Sequence, residues 1–291
     1  MITINELGFG YSWAYGVFKN FTLKLKGNSI CGLLGKNGEG KTTLLKIIAG
    51  LVFPTRGQCE VLSYKPQQRS PAFLQEIYFL PEHIYLPALK SKEYLANYAC
   101  FYPQFNTAQF ELYLKEFKLA DDDMLDYILL NKLSQGQQKK FLIAFGLATN
   151  CRLFLLDEPT NGLDIPGKAS FRKLLASAMN AERLFILSTH QVREVENLID
   201  SVFIIEEKEL VLHASLKTIV QQLAFVTMPN EPQPDECFYS EKQLDGYAVV
   251  MDNKTGVESK INLEVLFNAV ITNPSVFQKI FAKEESAHAT A

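Results

Sequence analysis

The chain has 291 residues, a length suited to one large domain or to one domain with a small appendage. With 47% hydrophobic and 21% charged residues, 16 glycines and 12 prolines, it has the composition of a globular protein, which excludes disorder and collagen-like repeats. Its 29 basic residues against 32 acidic ones, net charge −3, argue against nucleic acid as the principal partner.

The N-terminus, residues 1–7, has neither the basic nor the apolar stretch of a secretory signal. Residues 21–26 alternate apolar and polar side chains, which predicts a half-exposed strand, and the apolar run 30–34 predicts a buried parallel strand. From Lys41, the residues Leu44, Leu45, Ile47, Ile48 and Leu51 recur at helical spacing, with Gly50 and Pro54 marking the exit. Further buried strands are predicted at 77–80, 153–156, 184–187 and 202–205, each beside a helical stretch. Strands alternating with helices define an α/β class with a mainly parallel sheet.

Between about 86 and 149 the strand signal disappears, and Tyr94, Leu95 and Tyr98, then Phe110, Tyr113, Leu114 and Phe117, recur at helical spacing, which predicts an inserted helical subdomain. One of the longest apolar runs, 141–148, is far short of the roughly 18 residues of a membrane span. The chain is therefore expected to be soluble by itself, with any span supplied by another subunit. Pro229, Pro232 and Pro234 mark a linker near 230–236. Beyond it, 247–251 and 257–261 are expected to form a hairpin about a turn at 252–256, followed by a helix with Leu263, Leu266, Phe267, Val270 and Ile271 on one face. The tail from Lys283 is expected to be disordered. The domains expected are 1–226 and a linker with a small appendage at 227–291. The five cysteines form no Cys-x-x-Cys pair, so free buried thiols are expected rather than a disulfide framework or a zinc site.

Two motifs carry chemistry. Residues 35–42, with Gly35, Asn37, Gly38, Glu39, Gly40, Lys41 and Thr42, fit the phosphate-loop pattern G-x-x-x-x-G-K-[ST] between a predicted strand and a predicted helix. In such a loop backbone N–H groups and a helix N-terminus cradle phosphates, the lysine reaches the β- and γ-phosphates, and the hydroxyl of Thr42 ligates Mg²⁺. The run 153–156 then delivers Asp157 and Glu158 to the C-terminal end of a buried strand, where open α/β sheets bind ligands. Asp157 is assigned to Mg²⁺ and Glu158 to accepting a proton from the attacking water.

With Leu133-Ser134-Gln135-Gly136-Gln137 twenty residues before Asp157, with Asp164 closing the segment 157–164, and with His190 following Ser188-Thr189, the chain resembles the ATP-binding cassette (ABC) ATPases. The resemblance runs from Tyr11 to His190. It implies a P-loop NTPase cassette with a mainly parallel sheet core, antiparallel N-terminal strands, an inserted helical subdomain and a small α+β C-terminal appendage. It further implies ATP and Mg²⁺ as cofactors and a head-to-tail homodimer in which Ser134, Gly136 and Gln137 of one copy complete the ATP site of the other. In that scheme His190 contacts the γ-phosphate, Asp164 lies at the dimer interface, and Thr43 belongs to the nucleotide site. Ser134 can equally be a plain helix N-cap. An aromatic ring stacks on adenine near position 11: Tyr11 is preferred, with Trp13 and Tyr15 as competitors. Glu82 stands where most members carry a glutamine that touches Mg²⁺, so the resemblance places it among the catalytic and metal-facing residues. Glutamate there resembles the exporter branch with a separate membrane permease.

The resemblance thus implies the ATP-hydrolysing subunit of an ABC transporter, an exporter, peripheral on the cytoplasmic membrane face and docking its permease through the helical segment. The alternative is a soluble ABC ATPase acting as a mechanical switch in assembly, repair or translation. Against its translation and repair forms, one chain carries one set of motifs, and Thr42 and Leu133 stand 91 positions apart with no sustained heptads between them, while a cofactor-assembly ATPase of similar length stays open. A nucleotide-binding regulator with little turnover is the third reading, should Glu82 impair hydrolysis.

Overall fold

The structure is a computed structural model that describes all residues except 13, 14, 120–123, 234, 255 and 288–291. An antiparallel pair, β1 (Ile2–Ser12) and β2 (Tyr15–Leu25), precedes β3 (Ser29–Leu34), the phosphate loop and α1 (Lys41–Ile48). In β2 Phe21, Leu23 and Leu25 are buried while Thr22 and Lys24 face solvent, the period-2 pattern of a strand with one covered face. β4 (Arg56–Val61) pairs with β1 and completes a small sheet, order β2-β1-β4.

After the short α2 (Pro71–Leu74) and β5 (Ile77–Leu80) comes the insertion: α3 (Ser91–Tyr98), α4 (Thr107–Glu116), α5 (Met124–Tyr127) and α6 (Gln135–Ala148). No strand occurs among its described residues. The chain then alternates through β6 (Leu153–Asp157), α7 (Ile165–Ala178), β7 (Leu184–Thr189), α8 (Val192–Val195), β8 (Ser201–Glu206) and β9 (Glu209–Ser215). The main sheet has the order β5-β6-β7-β3-β8-β9, parallel throughout except for β9 at one edge. Every residue of β6 and β7 is buried, as a strand covered on both faces requires. One core, with Leu33, Leu44, Ile48 and Phe203, joins the sheet to the N-terminal strands and α1. The other, with Phe110, Phe141, Phe154 and Leu266, joins it to the helical insertion and the C-terminal residues.

The C-terminal unit follows α9 (Leu216–Gln222): β10 (Leu223–Met228), β11 (Tyr239–Gln243) and β12 (Gly246–Asp252) form a sheet of order β10-β12-β11, succeeded by α10 (Leu263–Thr272) and α11 (Pro274–Ala287). β10 thus runs across position 226. Two expectations are corrected here. The hairpin partner of 247–251 is β11, not 257–261, because β12 already has β10 on one side and β11 on the other. Residues 257–261 instead lie beside β10, where the Ser259 hydroxyl accepts the Phe225 N–H at 2.8 Å. The tail from Lys283 is not irregular at its start, since α11 continues to Ala287; residues 288–291 lie outside the described residues, as does Pro234 of the expected linker. α10 buries Leu263, Leu266 and Val270, and it touches α8 through Arg193–Glu264 and through the Leu263 N–H on Glu196 Oε1 at 3.4 Å.

Candidate active site

The phosphate loop leaves β3 at its C-terminal end and enters α1 through Gly38 and Gly40, with φ of 90° and 95°. Only glycine adopts these angles without strain. No side chain caps α1, so its first N–H groups remain directed at the loop, where an anion can accept from them. Lys41 is buried and donates from Nζ to the carbonyl oxygens of Gly35 and Lys36 at 2.7 and 3.0 Å, which places its ammonium inside the curve of the loop. Burial lowers its pKa, opposed by the nearby charges of Glu158, Asp157, Glu39 and Glu82.

Two contacts fasten the loop to the turn between β8 and β9. Lys36 pairs with Glu206 at 2.5 Å, and Glu39 Oε2 accepts the Lys208 N–H at 2.8 Å. Asn37 and Gly38 form the exposed tip. Beneath it, the hydroxyl of buried Thr43 lies 3.1 Å from that of Tyr11, a ring that is 60% exposed beside the loop. Trp13 lies outside the described residues.

At the end of β6 the Asp157 carboxylate is held on both oxygens. The Thr42 hydroxyl donates to Oδ2 at 2.6 Å and the Ser188 hydroxyl donates to Oδ1. A hydroxyl and a carboxylate in contact beside a phosphate cradle are the hard oxygen donors Mg²⁺ takes, leaving its other positions to phosphate and water. The donor set fits that ion.

Glu158 is buried and adopts φ +45°, a left-handed conformation uncommon for a side chain of this kind. Such a backbone persists when its surroundings over-determine it. Its N–H donates to the Ser188 carbonyl at 3.1 Å, and its own carbonyl accepts from Lys139 Nζ at 2.9 Å. The carboxylate then points to the end of β7: Oε2 accepts the Thr189 hydroxyl at 3.1 Å, and Oε1 accepts the His190 N–H at 3.0 Å and lies 2.7 Å from His190 Nδ1. Gln191 extends this corner through its N–H to Thr189 Oγ1 at 2.9 Å and its amide to Asn161 Oδ1 at 3.1 Å.

The residues expected to act together from one chain are therefore brought together: Lys41, Thr42, Asp157, Glu158 and His190. Half-buried Glu82, following β5, adds its charge to the field at Lys41 and Lys139. The residues 134–137 bond within their own helix. The Ser134 hydroxyl accepts the Gln137 N–H at 3.2 Å while Gln137 Oε1 accepts the Ser134 N–H at 2.9 Å, a reciprocal cap on α6. Gly136 stands so close to the Gly162 carbonyl that a Cβ would come within 2.7 Å of it. Asp164 caps α7 through the Gly167 N–H at 3.2 Å and pairs with Lys140 at 2.7 Å; that ammonium holds its carboxyl below the usual range. Sequence reasoning missed Ser188 and Lys139. Ser188 was legible as the first hydroxyl after an apolar run, and Lys139 as the first of two cations before a long apolar run.

Residues 18–161 match the family described as ABC transporter. The chain belongs to that family, as an ABC transporter ATP-binding subunit and an ATPase. It is 29% identical over 239 residues to the uncharacterized ABC transporter ATP-binding protein YcbN of Bacillus subtilis (strain 168), covering 78% of this chain and 74% of that one. It is 31% identical over 201 residues to the bacitracin transport ATP-binding protein BcrA of Bacillus licheniformis, covering 66% and 62%. Among solved structures it resembles an ATP binding subunit of an ABC transporter, with a TM-score of 0.68 at 24% identity over 75% of this chain and 91% of the other. That likeness carries the fold, an ABC ATPase cassette. No helix among the described residues is long and apolar enough to cross a membrane.

Proposed function

We propose that the chain is the ATP-hydrolysing subunit of an exporter, that two copies close head to tail around two ATP molecules, and that closure and reopening drive a separate permease at the cytoplasmic membrane face. The observation that carries the catalytic part is the convergence of Thr42, Asp157, Glu158 and His190 at the ends of neighbouring strands beside the phosphate loop. The catalytic unit is taken as residues 1–226, with 227–291 as an appendage that reinforces the dimer.

In this reading the loop amides, the α1 N-terminus and Lys41 bind the phosphates, and Tyr11 stacks on adenine. Thr42 and Asp157 would hold Mg²⁺, with Glu82 as a further candidate ligand, and the ion would supply neutralisation of phosphate charge. Glu158 accepts the proton of the attacking water. His190, with Nδ1 occupied by Glu158, presents Nε2 to the γ-phosphate; its side chain is 39% exposed, as a group meeting a ligand must be. Ser134, Gly136 and Gln137 complete the phosphate cage of the partner copy, and Asp164 meets the partner from the adjoining loop. Glutamate at position 82 supports the exporter assignment, and a relative named for bacitracin transport supports transport as the role.

The permease is assigned to a cleft of about 700 Å³ between α1, β5 and the helical insertion. It is lined by Leu51, Tyr85 and Phe101, exposed by 44, 91 and 62%, with Tyr98 and Ile84 beside them. A contiguous exposed apolar surface of this kind marks an interaction site. Phe110 and Phe117 of the insertion are core residues, 1 and 3% exposed, and take no part in this surface.

The test is an affinity pull-down of tagged Glu158→Gln protein from detergent-solubilised membranes with ATP and Mg²⁺. A polytopic membrane protein at about one copy per cassette supports the reading. Only soluble partners would replace it by the mechanical-switch alternative.

A further inference from the structure

Lys139 is a buried lysine with no place in the scheme above. It is 4% exposed and sits in the second turn of α6, with only half-buried Lys140 between it and the buried run 141–148. A buried ammonium is costly unless it is bonded and charge-balanced. Here its Nζ donates to the Glu158 carbonyl at 2.9 Å, and burial, which lowers its pKa, is opposed by the charges of Glu82, Glu158 and Asp157. Packing alone has no need of a cation at this position, where an apolar side chain would fill the same space at lower cost.

What the cation touches is a backbone position in the left-handed region. Glu158 stands at φ +45°, its N–H fixed on the Ser188 carbonyl and its own carbonyl on Lys139. These two bonds set the orientation from which its carboxylate reaches Thr189 and His190. Lys139 also belongs to the helix whose first turn carries Ser134 and Gly136. Five residues of helix, about 7.5 Å, separate Ser134 from the residue that grips the base.

We propose that Lys139 is a positioning residue for hydrolysis, which holds the Glu158 backbone so that the carboxylate is aimed at the attacking water, and which ties that aim to the placement of the Ser134 end of its own helix. The proposal rests on the reading of Glu158 as the general base. A positioning role lowers turnover and spares ATP binding, because the phosphate loop and Lys41 are untouched.

The test compares Lys139→Met and Lys139→Arg with the wild-type protein in steady-state ATP hydrolysis, with melting temperature and ATP affinity measured alongside. Lys139→Met is expected to lower kcat at least tenfold while KM and ATP affinity stay within threefold. Lys139→Arg, which keeps the charge and a donor, is expected to recover a third or more of the wild-type kcat. Should the methionine variant melt below assay temperature, Lys139→Gln, uncharged and one atom shorter, carries the same expectation. Turnover within twofold of wild type in the methionine variant, an equal loss of turnover and ATP affinity, or an arginine variant as poor as the methionine one overturns the proposal. Wild-type turnover in Glu158→Gln would instead remove the reading on which it rests, so the two failures are distinct.

Discussion

Thr42 and Asp157, 115 residues apart in sequence, share a hydrogen bond of 2.6 Å. One opens the helix after the phosphate loop and the other ends β6, so the bond joins the two motifs that sequence reading found separately. β3 and β6 both flank β7, and the parallel register that pairs Leu34 with Thr189 and Asp157 with Ser188 brings their C-terminal ends level. The site is thus a consequence of sheet order.

Ser188 supports Asp157 from the neighbouring strand, and outer partners of metal ligands typically matter by about 10–100-fold. Ser188→Ala is expected to raise the Mg²⁺ concentration for half-maximal hydrolysis by about tenfold, with kcat at saturating Mg²⁺ reduced less. A Mg²⁺ titration of ATPase activity checks this; an unchanged half-saturation point would show that Thr42 alone suffices to orient Asp157.

The two roles of Ser134 are separable by substitution. Ser134→Ala removes the cap of α6 and should cost about 1 kcal/mol of stability together with activity. Asparagine caps helices as well as serine does, so Ser134→Asn should keep the melting temperature within a degree or two while turnover falls. If the asparagine variant is both stable and fully active, Ser134 is an N-cap and nothing more.

Lys41→Ala removes the ammonium inside the phosphate loop. Tight ATP binding should be lost, measured by calorimetry or by the ATP-induced rise in melting temperature, which follows mass action. Unchanged affinity would contradict the assignment of the loop.

A stability prediction comes from the helical insertion. A Cβ at Gly146 would lie 2.1 Å from the ring of Tyr78, which is buried and donates its hydroxyl to the Leu142 carbonyl at 2.8 Å. The ring cannot yield without losing that bond, so Gly146→Ala should destabilise the protein by about 1–3 kcal/mol, read by denaturant unfolding.

Much of this was legible before the fold was known, for identifiable reasons. Buried parallel strands announce themselves as apolar runs, so β5 falls on its expected bounds and β6, β7 and β8 within one or two residues. The phosphate loop is fixed by local backbone demands at Gly38 and Gly40, and these are written in the local sequence. What escaped depends on contacts between distant segments. The pairing of 247–251 was misassigned because β10 and β11 occupy its two edges and leave none for 257–261, and local alternation carries no information about which segments take those edges. Lys139 and Ser188 were passed over because their importance lies in a carbonyl and a carboxylate reached only through tertiary packing. Asp164, read for a dimer interface, also caps α7 and pairs with Lys140 within its own chain, contacts that its motif does not announce. Helical spacing in the insertion covers both Phe110 and Tyr98 and cannot separate the buried ring from the exposed one.

The most direct test of the account is the solution mass of Glu158→Gln protein, by sedimentation or light scattering, with and without ATP and Mg²⁺, beside its hydrolysis rate. Loss of a general base should slow hydrolysis by about 10²-fold or more while ATP binding survives. The variant should then be a monomer without nucleotide and a dimer with it. A mass that does not respond to ATP, or hydrolysis at the wild-type rate, would contradict the proposal that Glu158 drives the reopening of a closed pair.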